Sequence, residues 1–257
     1  MPDLLEPTTA ASPPASRRVG PRRAAAPRRE PRMLPPADRA TQRSLSDLEE
    51  VEDGRLQVGG VTWDVYVALA DHPDNAHLRF AFDGDVGLLE IEMPAGSVHE
   101  TVAELLTALV SAYLRHRRVE FRPTGSMTLR RQTGRGRGLR ADKTYYVRTL
   151  GAVRGKAALS LLDGDPPPDL ALEVDVTSRA TAKLPIYAAL GVPEVWNWED
   201  GAFTVRRLTA DGDYDVVEES EEVAGFPLAA AADLVGRLSG EGQNAVLDAF
   251  EAHLPAD

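Results

Sequence analysis

The clearest pattern in the chain is an apolar stripe with helical spacing between residues 98 and 114. Hydrophobic side chains recur there every three or four positions, which is typical of a helix that buries one face. We expect Ser97 and Glu100 to form a capping box at its beginning. The basic residues at 115–118 suit the negative end of the helix dipole. The stripe consists of Val98, Val102, Leu105, Leu106, Leu109, Val110, Tyr113 and Leu114.

Residues 169–176 alternate instead with the period of a strand. One face of this strand is apolar, and the other carries carboxylates. Burying carboxylates in an apolar layer is costly unless cationic groups meet them. Two such groups with a lysine nearby suit a divalent metal and an anionic substrate. The acidic face consists of Asp169, Ala171, Glu173 and Asp175, and the lysine is Lys183.

The other periodic segments complete an α/β protein with one mixed sheet flanked by helices. Further helices are predicted at residues 62–70, 183–190, 230–238 and 244–254, and Gly191 is a stop signal for the second of them. The glycine- and arginine-rich stretch before Asp142 is predicted to be a flexible loop. Strands are predicted at residues 78–82, 88–92, 119–122, 127–131, 144–147, 195–198, 203–208 and 214–217.

Composition divides the chain into two parts. Residues 1–42 are rich in Pro, Arg and Ala, which predicts a disordered basic tail, and residues 43–257 are predicted to form the folded domain. The net charge is −11, yet residues 1–45 carry nine arginines and only four acids. The tail is either an inert solvated extension or an arm that contacts nucleic acid through its charge.

Several classes of site are excluded by composition. Cysteine is absent, so disulfides, thiolate metal sites and a thiol nucleophile are ruled out. The five histidines have no zinc-like spacing, so any metal would be held mainly by carboxylates, which favours Mg or Mn. With no apolar run long enough for a membrane span and no secretory signal pattern, we expect a cytoplasmic protein.

A band of arginines precedes Asp142. Residues 115–140 contain nine arginines and one acid, a density that suits phosphate neutralisation. Arg130, Arg131, Arg137 and Arg140 are therefore candidate nucleic-acid contacts. Helix capping and loop solvation are the alternative reading of the band, and the acidity of the whole chain argues mildly against DNA binding.

Three groups in the order Asp142, Glu173 and Lys183 resemble the site of the PD-(D/E)XK nuclease superfamily. More specifically, the chain resembles the Uma-two-type family of restriction-endonuclease-like proteins over roughly residues 61–234. The resemblance lies in GSMTLRR at 125–131, GLRADKTYYV at 138–147, PPDLALEVDVTS at 167–178 and KLPIYAALGVPEVW at 183–196.

The resemblance implies a restriction-endonuclease-like core and metal-dependent cleavage of a phosphodiester. By position, Asp142 and Glu173 take the metal-binding acidic places, and the carbonyl of Val174 would be a further ligand. Lys183 takes the place of the catalytic lysine. His99, Asp169 and Asp175 are supporting candidates.

The chain departs from the superfamily pattern at two places. Asp175 stands where a lysine is expected two residues after Glu173, so the lysine has moved to the next helix as Lys183. A four-carbon stem gives an ammonium the reach for such a move. The Glu-His pair common in the family's first helix is Val98-His99 here.

Each candidate also has an ordinary structural reading. Asp142 could be a turn residue, Lys183 a solvated residue at a helix start, and Asp169 only the beginning of a strand. Asp175 could pair with an arginine, and His99 could be exposed in the first turn of its helix. Glu173 is harder to explain structurally, because a mid-strand acid in an apolar run has no obvious partner.

The leading hypothesis is a Mg- or Mn-dependent DNA endonuclease, which by analogy could act as a homodimer to cut both strands. The alternative is a catalytically silent regulator that binds nucleic acid or protein and keeps the nuclease fold. A phosphatase or an RNase on the same site is a third possibility.

Overall fold

The computed structural model describes residues 54–93, 96–175, 183–237 and 240–254, together with the backbone of residues 49–51. The predicted tail at residues 1–42 lies outside this part of the chain, as does its boundary with the domain. Both stay predictions.

The described residues form two six-stranded sheets, and the first of them is antiparallel throughout. Phe82 of this sheet stacks on Tyr66, the buried residue of helix α1 (Trp63–Ala70), at 5.0 Å between ring centroids. From edge to edge the strands are β1 (Glu49–Val51), β2 (Arg55–Gly59), β4 (Leu88–Glu92), β3 (Arg79–Asp83), β7 (Arg137–Arg140) and β6 (Thr128–Arg131).

The second sheet is mixed and carries the acidic strand. Strands β9 (Leu170–Asp175) and β10 (Glu194–Glu199) run parallel to each other, and every other pair of neighbouring strands in this sheet is antiparallel. The order is β12 (Tyr214–Val217), β11 (Ala202–Leu208), β10 (Glu194–Glu199), β9 (Leu170–Asp175), β8 (Lys143–Tyr146) and β5 (Arg122–Pro123).

Helices cover both faces of the mixed sheet. On one face, α2 (Ser97–His116), α5 (Leu228–Arg237) and α6 (Gln243–Glu251) build the largest core with Leu170, Leu172 and Trp196. On the other face, α4 (Leu184–Leu190) packs against residues of both sheets, among them Leu139 and Ala171. The short helix α3 (Leu150–Val153) follows β8. Single 3₁₀ turns lie at Pro73–Asn75 and Leu161–Asp163.

The predicted α/β class, with a mixed sheet between helices, is confirmed. The expectation of one sheet is wrong, because the strands before Asp142, with the exception of β5, form a separate antiparallel sheet. The glycine-rich composition before Asp142 predicts a loop, but residues Arg137–Arg140 form strand β7. Gly138 fits this strand because its α-carbon passes close to Tyr66, where a side chain has no room.

Two local predictions also need correction. Helix α2 has Gly96 as its N-cap residue, so Ser97 is its first helical residue and forms no capping box. The side chain of Glu100 instead contacts Arg79 at 3.4 Å. The strand expected at residues 119–122 is reduced to β5, because the chain turns at Arg118 with a φ of 55°.

Within the described residues, no helix combines the length and apolarity needed to cross a membrane.

Candidate active site

Asp142 and Glu173 face each other at the neighbouring strands β8 and β9. The antiparallel register pairs Lys143 with Leu172, so Asp142 comes opposite Glu173. The main-chain N–H of Asp142 donates to Glu173 Oε1 at 3.3 Å, and that of Val174 donates to Asp142 Oδ2 at 2.8 Å. The two acidic residues are only 2% and 1% exposed. Sheet register thus brings two predicted site residues together.

Lys183 reaches the same place from the beginning of α4. Its Nζ lies 3.1 Å from Glu173 Oε2 and 2.9 Å from Glu92 Oε1, and the residue is buried. Burial disfavours the charged ammonium, but the carboxylates of Glu173 and Glu92 outweigh it and raise the pKa of Lys183 above its ordinary value. Lys183 is therefore a fixed cation at neutral pH.

Glu92, the last residue of β4, joins the two sheets at this point. Besides Lys183, it contacts Arg55 Nη2 through Oε1 at 3.2 Å. Burial favours the neutral form of Glu92, but Lys183 and Arg55 outweigh it and hold its pKa below the ordinary value. Lys183 therefore contacts two carboxylates, one from each sheet.

His99, in the first turn of α2, contacts Asp142. Its Nε2 lies 3.1 Å from Asp142 Oδ2. Burial lowers the pKa of His99, and the nearby charge of Arg79 lowers it further, so the imidazole is neutral at pH 7. We assign the tautomer with Nε2–H donating to Asp142. Nδ1 then has no hydrogen-bond partner in the described part of the chain.

Arg79 supplies a second cation at Asp142. Its guanidinium contacts Asp142 Oδ1, and its Nη2 also lies 3.4 Å from Glu100 Oε1. The Arg79 side chain is 12% exposed, so this pair is largely shielded from solvent. Each candidate acidic residue thus has its own cation, Arg79 for Asp142 and Lys183 for Glu173.

Helix α4 positions two of the groups around Glu173. Pro185 lies in its first turn, where proline is favoured, and Gly191 closes the helix with a φ of 80°, as the sequence predicts. Lys183 precedes the helix, and Tyr187 lies four residues later on the same side. The Tyr187 hydroxyl donates to Glu173 Oε1. Burial raises the pKa of Tyr187 well above its ordinary value, and Glu173 adds to the effect, so the phenol stays neutral.

Asp169 lies at the opposite end of β9 from Asp175 and does not join the cluster. Its Oδ2 accepts hydrogen bonds from the main-chain N–H groups of Val147 and Thr149, at 2.8 and 2.9 Å, and from the Thr149 hydroxyl at 3.0 Å. These contacts fix the turn after β8. The structural reading of Asp169 therefore fits its place better than a site role does.

Asp175 is buried near Glu173 but faces a different partner. The side-chain amide of Asn197 donates to Asp175 Oδ2 at 3.3 Å, and Arg206 Nη1 donates to Asn197 Oδ1 at 2.6 Å. Asp175 thus begins a polar chain that leads across the sheet from β9 to β11.

Two of the predicted nucleic-acid contacts, Arg130 and Arg137, pair with carboxylates, one at the end of α1 and one at the end of β3. Arg130 Nη1 lies 2.7 Å from Asp71 Oδ1, and its guanidinium stacks over the Tyr66 ring at 5.2 Å. Arg137 Nε lies 3.1 Å from Asp83 Oδ1. These contacts neutralise both arginines within the protein.

The other two predicted nucleic-acid contacts, Arg140 and Arg131, lie in different surroundings. Arg140 Nη1 donates to the carbonyl of Ala76 at 3.1 Å. Arg131 lies near Gly191, at the end of α4 away from Lys183, and has no ion-pair partner among the described residues. In the described part of the chain, β6 and β7 therefore do not present a continuous band of free arginines beside Asp142.

The donor chemistry of the cluster fits a divalent cation. Carboxylate and carbonyl oxygens are the ligands that Mg and Mn prefer, and Asp142, Glu173 and the carbonyl of Val174 can supply them. No three His, Asp or Glu side chains in the described ranges converge as a preformed metal cluster. Arg79 and Lys183 contact the two carboxylates, so a bound ion would compete with Arg79 for Asp142.

A mixed sheet with paired acids and a lysine at one place is the arrangement of a nuclease-like protein. Residues 63–234 match the Uma2 family, which is described as "Putative restriction endonuclease". The match covers more than half of the chain, so the chain belongs to this family. No curated protein sequence matches the chain.

A solved structure also resembles the chain. It is the crystal structure of a "putative nuclease belonging to DUF820" from Anabaena variabilis, with a TM-score of 0.44 and 14% sequence identity. The similarity covers 74% of this chain and 99% of that one.

Sequence reasoning missed Glu92, Tyr187 and Arg79. Two of them carry a usable signal. Glu90 and Glu92 alternate along β4 as the acids of β9 do, and Tyr187 follows Lys183 at helical spacing. Arg79 carries none, because its contact with Asp142 depends on how two separate sheets meet.

Proposed function

We propose that this protein is a Mg- or Mn-dependent endonuclease that hydrolyses DNA phosphodiester bonds. One observation carries the proposal: two buried acidic residues from adjacent strands, Asp142 and Glu173, lie beside the buried ammonium of Lys183. Buried carboxylates of this kind are expensive to maintain, and a hydrolytic site is a physical reason for their presence.

The residues divide the work in the proposed reaction. Asp142, Glu173 and the carbonyl of Val174 would hold the ion. When bound, a divalent ion activates a water molecule and offsets charge on the phosphate oxygens. Lys183 keeps its proton and stabilises negative charge at the reacting phosphate. His99 and Tyr187 donate hydrogen bonds that fix the orientation of Asp142 and Glu173.

Family membership implies a nucleic-acid substrate, and we propose DNA. Contact with its phosphates would lower affinity as salt is raised. Cutting both strands would require two sites, so a homodimer is part of the proposal. A cytoplasmic location fits this activity and is likewise proposed.

The test is cleavage of supercoiled and linear DNA by the purified protein with Mg, with Mn and with EDTA. Glu173→Gln preserves the side-chain shape and should lower the rate at least about 100-fold. Glu251→Gln, on the exposed side of α6, is the matched control and should cut at the wild-type rate. Cleavage that persists in EDTA or in Glu173→Gln contradicts the metal mechanism. RNA cleavage without DNA cleavage contradicts the substrate.

One observation favours the second candidate, a catalytically silent binding protein that keeps the fold. Arg79 and Lys183 already neutralise charge at Asp142 and Glu173, as built-in cations would in a protein that binds no metal. Calorimetry with Mn separates the candidates. Heat from a site that Glu173→Gln removes supports the enzyme, and the absence of such heat supports the regulator.

A further inference from the structure

Arg206 lies on the same face of the mixed sheet as Glu173, two strands away. In the register, Asn197 pairs with Glu173, and Val195, two residues earlier on β10, pairs with Arg206. Neighbouring strands are about 4.8 Å apart, so β11 lies about 10 Å from β9. That distance is within reach of a DNA strand whose scissile phosphate lies at Glu173.

A buried polar chain holds Arg206 in place. The amide of Asn197 donates to Asp175 Oδ2 at 3.3 Å, so its oxygen is turned toward Arg206 and accepts from Nη1 at 2.6 Å. Asn197 and Asp175 are only 3% and 4% exposed. Because the nitrogen and the oxygen of the Asn197 amide both form hydrogen bonds, the orientation of the amide is fixed. Its oxygen in turn positions the Arg206 guanidinium.

The surroundings of Arg206 do not neutralise its charge. Its direct cross-strand neighbours on the same face are Val195 and Val216, and no carboxylate in the described ranges lies within ion-pair distance of it. The adjacent Arg207 differs, because its Nε lies 3.2 Å from Glu221 Oε2. Arg206 is thus a half-buried, oriented cation whose partner in this part of the chain is a neutral amide.

We propose that Arg206 binds a backbone phosphate of the DNA that enters the Asp142–Glu173–Lys183 site, with Asn197 and Asp175 as its positioning residues. This inference rests on the proposed function. A guanidinium with one donor engaged keeps four N–H groups in a planar fork, which matches two phosphate oxygens. The contact is sequence-independent and fixes the position of the strand.

Binding is measured by fluorescence anisotropy with a labelled duplex of about 20 base pairs in EDTA, at salt concentrations from about 50 to about 200 mM. Arg206→Gln should weaken binding and reduce the salt slope by about 0.9, because one phosphate contact is lost. Between about 50 and about 200 mM salt, the factor by which affinity falls should therefore be about 3.5 times smaller for Arg206→Gln than for wild-type protein. Arg207→Gln removes the same charge from the other face of β11, and its slope should stay at the wild-type value.

Arg206→Lys keeps the charge but loses the fork, so it should retain the salt slope and still bind more weakly. Unchanged thermal unfolding of all three variants shows that a difference in slope is not a folding defect. Equal slopes for Arg206→Gln, Arg207→Gln and wild type overturn the inference and leave the nuclease proposal standing. DNA binding that depends on Arg206 without cleavage supports the inference and overturns the nuclease. A wild-type protein that binds no DNA overturns both.

Discussion

Lys183 Nζ lies 3.1 Å from Glu173 Oε2, although the lysine enters from a helix and the glutamate from the middle of a sheet. In the superfamily pattern both groups come from one strand, two residues apart. Here Asp175 holds that strand position and turns to Asn197. The ammonium near Glu173 is supplied by α4, because the long lysine stem reaches Glu173 from the start of that helix.

Lys183→Met should destabilise the protein by about 3–5 kcal/mol, because it leaves the buried carboxylates of Glu173 and Glu92 without their shared cation. Urea unfolding measures the change. Adding Glu92→Gln removes one of the two carboxylates that Lys183 neutralises, so the double variant should recover part of the loss. A double variant less stable than Lys183→Met would mean that Glu92 does not act through Lys183.

Arg79→Gln should strengthen Mn binding about tenfold or more, because a cation that competes for Asp142 is removed. Isothermal calorimetry gives the affinity without relying on turnover. Arg130→Gln is the matched control, since Arg130 of β6 pairs with Asp71 and not with Asp142, and its Mn affinity should equal that of wild type. Weaker Mn binding in Arg79→Gln would make Arg79 a support of the site and not a competitor.

The sequence was sufficient for the parts of the site that local pattern controls. Alternation along the strand indicates Glu173, and the helix predicted at residues 183–190 begins at Lys183 and stops at Gly191. The family resemblance named Asp142 and Glu173 as a pair of metal-binding acids, and the antiparallel pairing of β8 and β9 places these two residues opposite each other. These features depend on neighbouring residues or on one strand pair.

The parts that sequence did not predict depend on contacts between distant elements. Arg79 and Glu92 reach the site only because a second sheet exists, and its strand β7 has a glycine-rich sequence typical of a loop. The sequence indicates Arg130 and Arg137 as DNA contacts. It does not reveal their carboxylate partners, Asp71 and Asp83, because these lie more than fifty residues away in the chain. Charge density along a sequence does not reveal such pairing.

Asp169→Asn should separate the structural role of Asp169, just before β9, from the metal-binding role proposed for Glu173 within β9. Asp169 accepts three hydrogen bonds from the turn at Val147 and Thr149, so the change should cost about 1–3 kcal/mol of stability. Mn affinity should stay at the wild-type value, whereas Glu173→Gln should lower it. Thermal unfolding and calorimetry on both variants make the comparison. Loss of Mn binding in Asp169→Asn would return Asp169 to the site.

Gly138→Ala tests why the glycine-rich stretch is a strand. A Cβ at Gly138 would lie 2.7 Å from Tyr66 Cζ, and the ring contacts both Phe82 and the Arg130 guanidinium. Overpacking of this kind should destabilise the protein by about 1–3 kcal/mol in urea unfolding. Gly151→Ala in α3, where no atom lies within 4 Å, should be neutral or stabilising by up to about 1 kcal/mol. Equal effects at both positions would show that backbone freedom, and not the close approach of Tyr66, is the reason for glycine in β7.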